Sequence, residues 1–184
     1  MLLPWGQTTV LGHLVAQWRS VGARQIGVVC AREDQGVSSE LDRIGIRRDE
    51  RIMNAEPARG MFSSIQCAAR WDGWNSTLTH WAIALGDQPH LANETLEAIA
   101  AFSANHPDTI CQPARNTRPR HPVFLPRPFF EELARTHHVT LKEFLKVHTA
   151  EVRLLEIDDT RLDLDLDTPA DYERAQGEFR KFNP

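Results

Sequence analysis

Short apolar, β-branched runs alternate with amphipathic stretches along nearly the whole chain, and this alternation restricts the fold more than any single motif. "RQIGVVC" carries Ile26, Val28 and Val29 in a run consistent with a strand buried on both faces. "LTHWAIALGD" beds Trp81, Ile83 and Leu85 among alanines and ends at Gly86-Asp87, just before a proline that cannot donate to a ladder. Ahead of the first run, "TTVLGHLVAQWRSVGA" spaces Val10, Leu11, Leu14, Val15 and Trp18 as one helical face, with Thr8 or Thr9 to cap it and Gly22 to stop it.

The same alternation continues downstream. "GMFSSIQCAARW" reads as a helix opening at a glycine, and Asn93 is placed to cap "ETLEAIAAFSANH". "REDQGVSSELDRIG" reads as a loop and a helix, and "RPFFEELART", "TLKEFLKVH" and "DTPADYERAQGEFRKF" as further helices. "RIMN", "DTIC", "HPVFL" and "EVRLLEI" read as strands, with the basic stretch "QPARNTRPR" as a loop between two of them. Strands and helices at this spacing predict an α/β, doubly wound domain with a mostly parallel sheet, one domain over residues 1–184. Ligands in such sheets bind beyond the carboxyl ends of the strands, which directs attention to Asn54, Asp87 and the loop after Cys111.

Composition removes several function classes. A net charge of −4 gives no nonspecific grip on nucleic acid or acidic lipid. Cys30, Cys67 and Cys111 sit singly in or beside apolar runs, as small buried hydrophobes of a reducing compartment do, and no CxxC pair suggests zinc. No apolar stretch approaches the roughly 18 residues of a membrane span, and no signal peptide opens the chain, so the expected location is the cytoplasm.

Three stretches carry residues suited to chemistry. In "ALGDQPH", Asp87 closes an apolar strand and faces the ligand crevice, where it either ligates a hard divalent cation or caps its own turn. In "RLDLDLDTPADY", Asp163, Asp165 and Asp167 alternate with leucines, so an extended segment puts three carboxylates on one face. They repel one another unless a cation or basic partner intervenes; the other reading is a solvated edge strand. Thr168-Pro169-Ala170-Asp171 has the form of a capping box, which puts Asp167 just before a helix start. In "NAEPARGMFSSIQ", Asn54 precedes a helix beginning near Gly60, with Ser63 and Ser64 in its first turn, an arrangement open to phosphate binding or to ordinary capping. Arg115, Arg118, Arg120 and Arg127 make one basic neighbourhood around His121. The adjacent His137 and His138 diverge on a helix and do not share a metal.

In order and spacing these pieces resemble the MobA-like nucleotidyltransferases, in particular the molybdenum-cofactor cytidylyltransferase branch. "LLPWGQTTVLGHL", "NAEPARGMFSSIQCA", "LGDQP", "RHPVFL" and "LDLDTPADY" carry the resemblance over about residues 2 to 175. It implies transfer of a nucleotidyl group from an NTP (CTP or GTP) to a phosphorylated acceptor such as molybdopterin cofactor, with Mg²⁺ or Mn²⁺ and release of pyrophosphate. By position, Asp87 and Asp167 are the implied catalytic acids, and Asp87, Asp165 and Asp167 the metal ligands. Asn54, Gly60, Met61, Ser63 and Ser64 lie toward the nucleotide, and Arg120, His121 and Pro122 toward the acceptor. The family's Gly-rich segment, which would precede "LLPWG", is not in this sequence. The expectation is therefore a sheet without its first strand and phosphate loop, completed by a partner chain or a homo-oligomer. The alternatives are an inactive binding or scaffold module, or a sugar- or alditol-phosphate nucleotidyltransferase.

Overall fold

The computed structural model of the protein describes residues 1–31 and 35–182. The chain opens with a small antiparallel hairpin, β1 (Pro4–Trp5) and β2 (Thr8–Thr9), which leads directly into α1 (Val10–Ser20). Thr9 caps α1, its Oγ1 accepting from the Gly12 N–H at 3.0 Å, and Gly22 ends the turn beyond it at a φ of 90°. Next come β3 (Val28–Cys30), α2 (Gln35–Arg43), β4 (Arg51–Met53) and α3 (Met61–Arg70). β3 and β4 pair in parallel, as a strand–helix–strand crossover requires. The Arg32–Asp34 part of the loop predicted between β3 and α2 lies outside the described residues.

β5 (His80–Ile83), α4 (Asn93–Ala104), β6 (Ile110–Arg115), β7 (Arg118–Pro119), β8 (Val123–Pro126), α5 (Arg127–Leu133), α6 (Leu141–Val147) and β9 (Val152–Glu156) follow. A 3₁₀ turn over Thr160–Asp163 and the closing helix α7 (Pro169–Phe182) complete the chain. β6 is the centre of the larger sheet: β9 runs parallel on one side of it, while β8 runs antiparallel and joins it to β5. The sheet is thus mixed. The antiparallel insertion comes from the stretch read as a basic loop, where β6 runs on to Arg115 and reverses through Asn116 and Thr117, both at positive φ, into β7. A tight reversal returns the chain antiparallel, whereas a parallel return needs a long crossover. Asn93 is the first residue of α4 and does not cap it with its side chain; Ala92 occupies the cap position.

The main core lies between this sheet and α3, α5 and α6, where Ile110, Val123, Leu125, Leu133 and Phe144 are fully buried. Trp81 stacks flat on Phe130 at 4.5 Å between ring centroids. Burial of side chains this size stabilises by about 1.5–3 kcal/mol each. A second cluster ties the two ends of the chain together. Trp5, wholly buried, packs against Ala175, Tyr172 and Phe179 of α7. Tyr172 Oη and Gln176 Nε2 both donate to the Pro4 carbonyl. Cys30, Cys67 and Cys111 are free thiols, and only Cys111 is fully enclosed. Among the described residues, no helix is long and apolar enough to cross a membrane.

Candidate active site

The loop after β5 is held from several directions. Gln17 Nε2 donates to the Leu91 carbonyl at 2.6 Å, and His13 bonds to the backbone of Pro89. The Thr160–Asp163 turn and the segment after it are tied to the same loop by four contacts. Leu166 N–H donates to the Asp87 carbonyl at 3.2 Å, and Gln88 Nε2 donates to Asp165 Oδ1 at 2.8 Å. His90 Nε2 lies 3.1 Å from the Arg161 carbonyl and 3.0 Å from that of Leu164. Carbonyls only accept, so Nε2 carries the proton. Gln88 and His90 are buried, and burial lowers the His90 pKa against the pull of those carbonyls. These contacts bring two acid-bearing segments, far apart in sequence, to one place.

Asp87 is the electrostatic centre of that place. Its Oδ1 is buried and has no hydrogen-bond partner among the described residues. Burial pushes the Asp87 carboxyl above the usual carboxylate range; its own backbone N–H opposes this, and Asp165 and Asp167 add to it. His121 stands close enough to counter part of that repulsion. Its Nδ1 is 3.3 Å from the Ile83 carbonyl, a donor's position that leaves Nε2 as the basic nitrogen of the neutral ring. Burial lowers the His121 pKa, while the Ile83 carbonyl, Asp87 and Asp165 pull it up. The His121–Pro122 peptide is cis.

A buried carboxylate oxygen without a donor, beside two further carboxylates, suits a hard divalent cation. The set is not a closed cage: among the described residues no three His, Cys, Asp or Glu side chains gather closely enough to hold an ion. One oxygen of Asp165 is engaged by Gln88.

The three alternating aspartates do not share one extended face. The 3₁₀ turn ends at Asp163 and rotates it away, and it pairs with Arg115 and Arg120. Those two bonds hold the Asp163 carboxyl below the usual range. Asp163 therefore takes the basic partner that the alternation required, while Asp165 and Asp167 remain near Asp87. Arg127, grouped by sequence with the same basic stretch, lies elsewhere: its guanidinium sits 5.2 Å from the Trp81 ring centroid and donates to the carbonyls of Ser76 and Leu78.

The Asn54–Ser64 stretch lies beyond the carboxyl end of β4. Asn54 is almost fully buried and its side chain is committed within the protein: Nδ2 donates to Ser63 Oγ at 2.8 Å and Ser64 Oγ at 3.0 Å, and Oδ1 accepts from Glu56 N–H at 2.9 Å. Ser63 Oγ in turn donates to the Gly60 carbonyl at 2.7 Å. This network fixes the start of α3. Gly60 has φ 87°, a conformation that disfavours any side chain, and Met61 is exposed. The α3 start has no side-chain cap and no acidic residue in its first turn.

Sequence reasoning gave no role to His13, Gln17, Gln88 or His90. "DQPH" contains two of them, but their partners are 71 to 77 residues distant, and local spacing carries no signal of that.

The model of the MobA-like NTP transferase domain matches residues 1–152. The chain belongs to this family. Rv0371c of Mycobacterium tuberculosis, solved as a complex with manganese, is 30% identical and superposes with a TM-score of 0.68, over 96% of this chain and 90% of that one. A nucleotidyl transferase from Methanothermobacter thermautotrophicus, 19% identical, superposes with a TM-score of 0.80 over 99% of this chain and 85% of its own. Molybdopterin-guanine dinucleotide biosynthesis protein A from Archaeoglobus fulgidus, at 16% identity and a TM-score of 0.62, is matched over 98% of this chain and 90% of its own. No curated protein matches the chain. The fold is that of the nucleotidyltransferases.

Proposed function

We propose that this protein is a divalent-metal-dependent nucleotidyltransferase, moving a nucleotidyl group from CTP or GTP to a phosphorylated acceptor such as molybdopterin cofactor. One observation carries the reading: the buried, unpartnered Asp87 Oδ1, repelled by Asp165 and Asp167 at the carboxyl end of β5. The manganese in the 30%-identical Rv0371c structure supports a divalent cation here, Mg²⁺ or Mn²⁺. Asp87 would hold it, with Asp165 and Asp167 drawn in from the facing segment to complete the ligands, and once bound it would offset charge on the reacting phosphates.

In the reaction, an acceptor phosphate oxygen forms a bond to the α-phosphorus. The bond from that phosphorus to the β-phosphate bridging oxygen breaks, and pyrophosphate departs with the electron pair. Positioning and charge compensation are what the protein must provide for such a displacement. Gln88 fixes one oxygen of Asp165, and the loop contacts to Leu91, Pro89 and Asp87 keep the acids together. On the nucleotide side, Asn54 and Ser63 set the start of α3, where Gly60, Met61 and Ser64 would meet the nucleotide. Arg120, His121 and Pro122 would stand on the acceptor side.

The test is Mn²⁺ binding followed by electron paramagnetic resonance, together with pyrophosphate release from CTP and GTP in the presence of molybdopterin. The wild type is expected to bind Mn²⁺ and release pyrophosphate, and Asp87→Ala to do neither. Tight Mn²⁺ and nucleotide binding with no turnover on any acceptor would replace this reading with that of a binding module.

A further inference from the structure

Arg115 and Arg120 converge on a single carboxylate. Arg115 Nη1 donates to Asp163 Oδ2, while Arg120 reaches Oδ1 with Nε at 3.0 Å and Nη2 at 2.5 Å. The cluster is partly exposed, the side chains of Arg115, Arg120 and Asp163 being 21%, 29% and 32% exposed. Partly exposed ion pairs of this kind contribute modestly to stability, so the two arginines hold Asp163 without locking it in place.

The three residues also differ in how firmly they are held. Arg115 ends β6, which is paired with β9 and β7, and Arg120 is fixed by its N–H to the Pro113 carbonyl at 2.8 Å and by Gln112 Nε2 to its own carbonyl at 3.3 Å. Asp163 ends a 3₁₀ turn and leads into an irregular run. The two cations stand on and beside a strand, and the anion closes a 3₁₀ turn across from them. Directly after Arg120 comes His121, which faces Asp87 and Asp165. The clamp is thus one residue along the chain from His121, and Asp163 is two residues from Asp165.

We propose that Arg115 and Arg120 are the binding clamp for the acceptor's phosphate monoester, and that Asp163 occupies it in the free protein and is displaced by that phosphate. This rests on the nucleotidyl-transfer reading only for calling the ligand an acceptor. A phosphate monoester carries more charge than a carboxylate and offers three oxygens, so two guanidiniums match it better than they match Asp163. The plug would also discriminate: a neutral or singly charged acceptor gains too little to expel it.

The experiment uses the full chain without nucleotide or metal, and titrates it with glycerol phosphate and with inorganic phosphate by calorimetry. Asp163→Asn is expected to bind glycerol phosphate about 10-fold more tightly than the wild type, as removal of a competing internal anion predicts. Asp158→Asn removes the same charge 3.5 Å from Arg115, from a fully solvated side chain, and is expected to change affinity less than about 2-fold. Adding Arg120→Gln to Asp163→Asn should abolish the gain. Equal gains in the two Asn variants would show a general charge effect and overturn the proposal, as would no gain in Asp163→Asn. Inorganic phosphate binding as tightly as glycerol phosphate would overturn the monoester assignment. Should Asp163→Asn fail to fold, the wild-type Arg120 Nε–H resonance decides: it must move on titration with glycerol phosphate, and a fixed resonance at saturating ligand defeats the proposal. With no NTP in the assay, failure here leaves the transfer reaction itself standing.

Discussion

Asp87 is a residue whose local energy runs against the fold. Its carboxyl is pushed above the usual range, by burial first and then by Asp165 and Asp167. Below the unfolded-state value near pH 3.9 both states hold the proton and nothing is lost. As pH rises past that value the unfolded chain ionises first, so the folded state is progressively penalised until its own raised pKa is passed. In a metal-free buffer, Asp87→Asn is therefore expected to raise the melting temperature at pH 7. The gain should vanish near pH 3, and thermal melts at the two pH values check it. Gln88 tests the same centre from one bond further out. Replacing it with Leu frees Asp165 Oδ1 from its 2.8 Å donor, and Mn²⁺ affinity is expected to fall by about 10-fold, in the range found when partners of metal ligands are removed. Paramagnetic resonance titration reads this without any turnover.

Elements announced by local chemistry were legible in the sequence, and elements set by distant chemistry were not. The start of α7 shows the first kind: Thr168 N–H donates to Asp171 Oδ2 at 3.0 Å, and Asp171 N–H to Thr168 Oγ1 at 3.2 Å, as the Thr-x-x-acid spacing predicts. Both partners lie within one turn, so four residues suffice to read it. Thr168→Val removes the hydroxyl, and chemical denaturation should show a loss of about 1 kcal/mol, the usual cost of a lost cap. Because α7 also anchors Trp5 and the Pro4 carbonyl, that loss should appear in the global transition rather than as local fraying. The antiparallel entry of β8 is of the second kind. It depends on a two-residue reversal at Asn116-Thr117 inside what reads as a polar loop, and on the pairing of Cys111 with Phe124 across it. In the site, the carboxylate positions were visible as residue types, but the 3₁₀ turn that sends Asp163 to the arginines and leaves Asp165 near Asp87 was not. Alternation with leucine is equally compatible with a strand.

For the whole molecule, backbone pairing is unevenly distributed. Among the described residues, β3 pairs only with β4, and β5 only with β8, so the two sheets are joined by packed side chains rather than by a ladder. Trp74 shows that joint. A Cβ at Gly27, just before β3, would come within 2.7 Å of its ring, and the same ring meets Trp81 of β5 edge-on at 6.1 Å. β3 is half-buried along its length, whereas β6 is buried from Ile110 to Ala114 and flanked by β8 and β9. Amides in a one-sided, half-buried pair open without disturbing the rest of the structure; those in a central, buried strand open only with it. Hydrogen–deuterium exchange should therefore show β3 and β4 exchanging well before β6. If another copy adds a strand at β3 or β5, protection there should rise with protein concentration while that of β6 stays constant. Equal protection of β3 and β6 in dilute protein would contradict the two-part sheet.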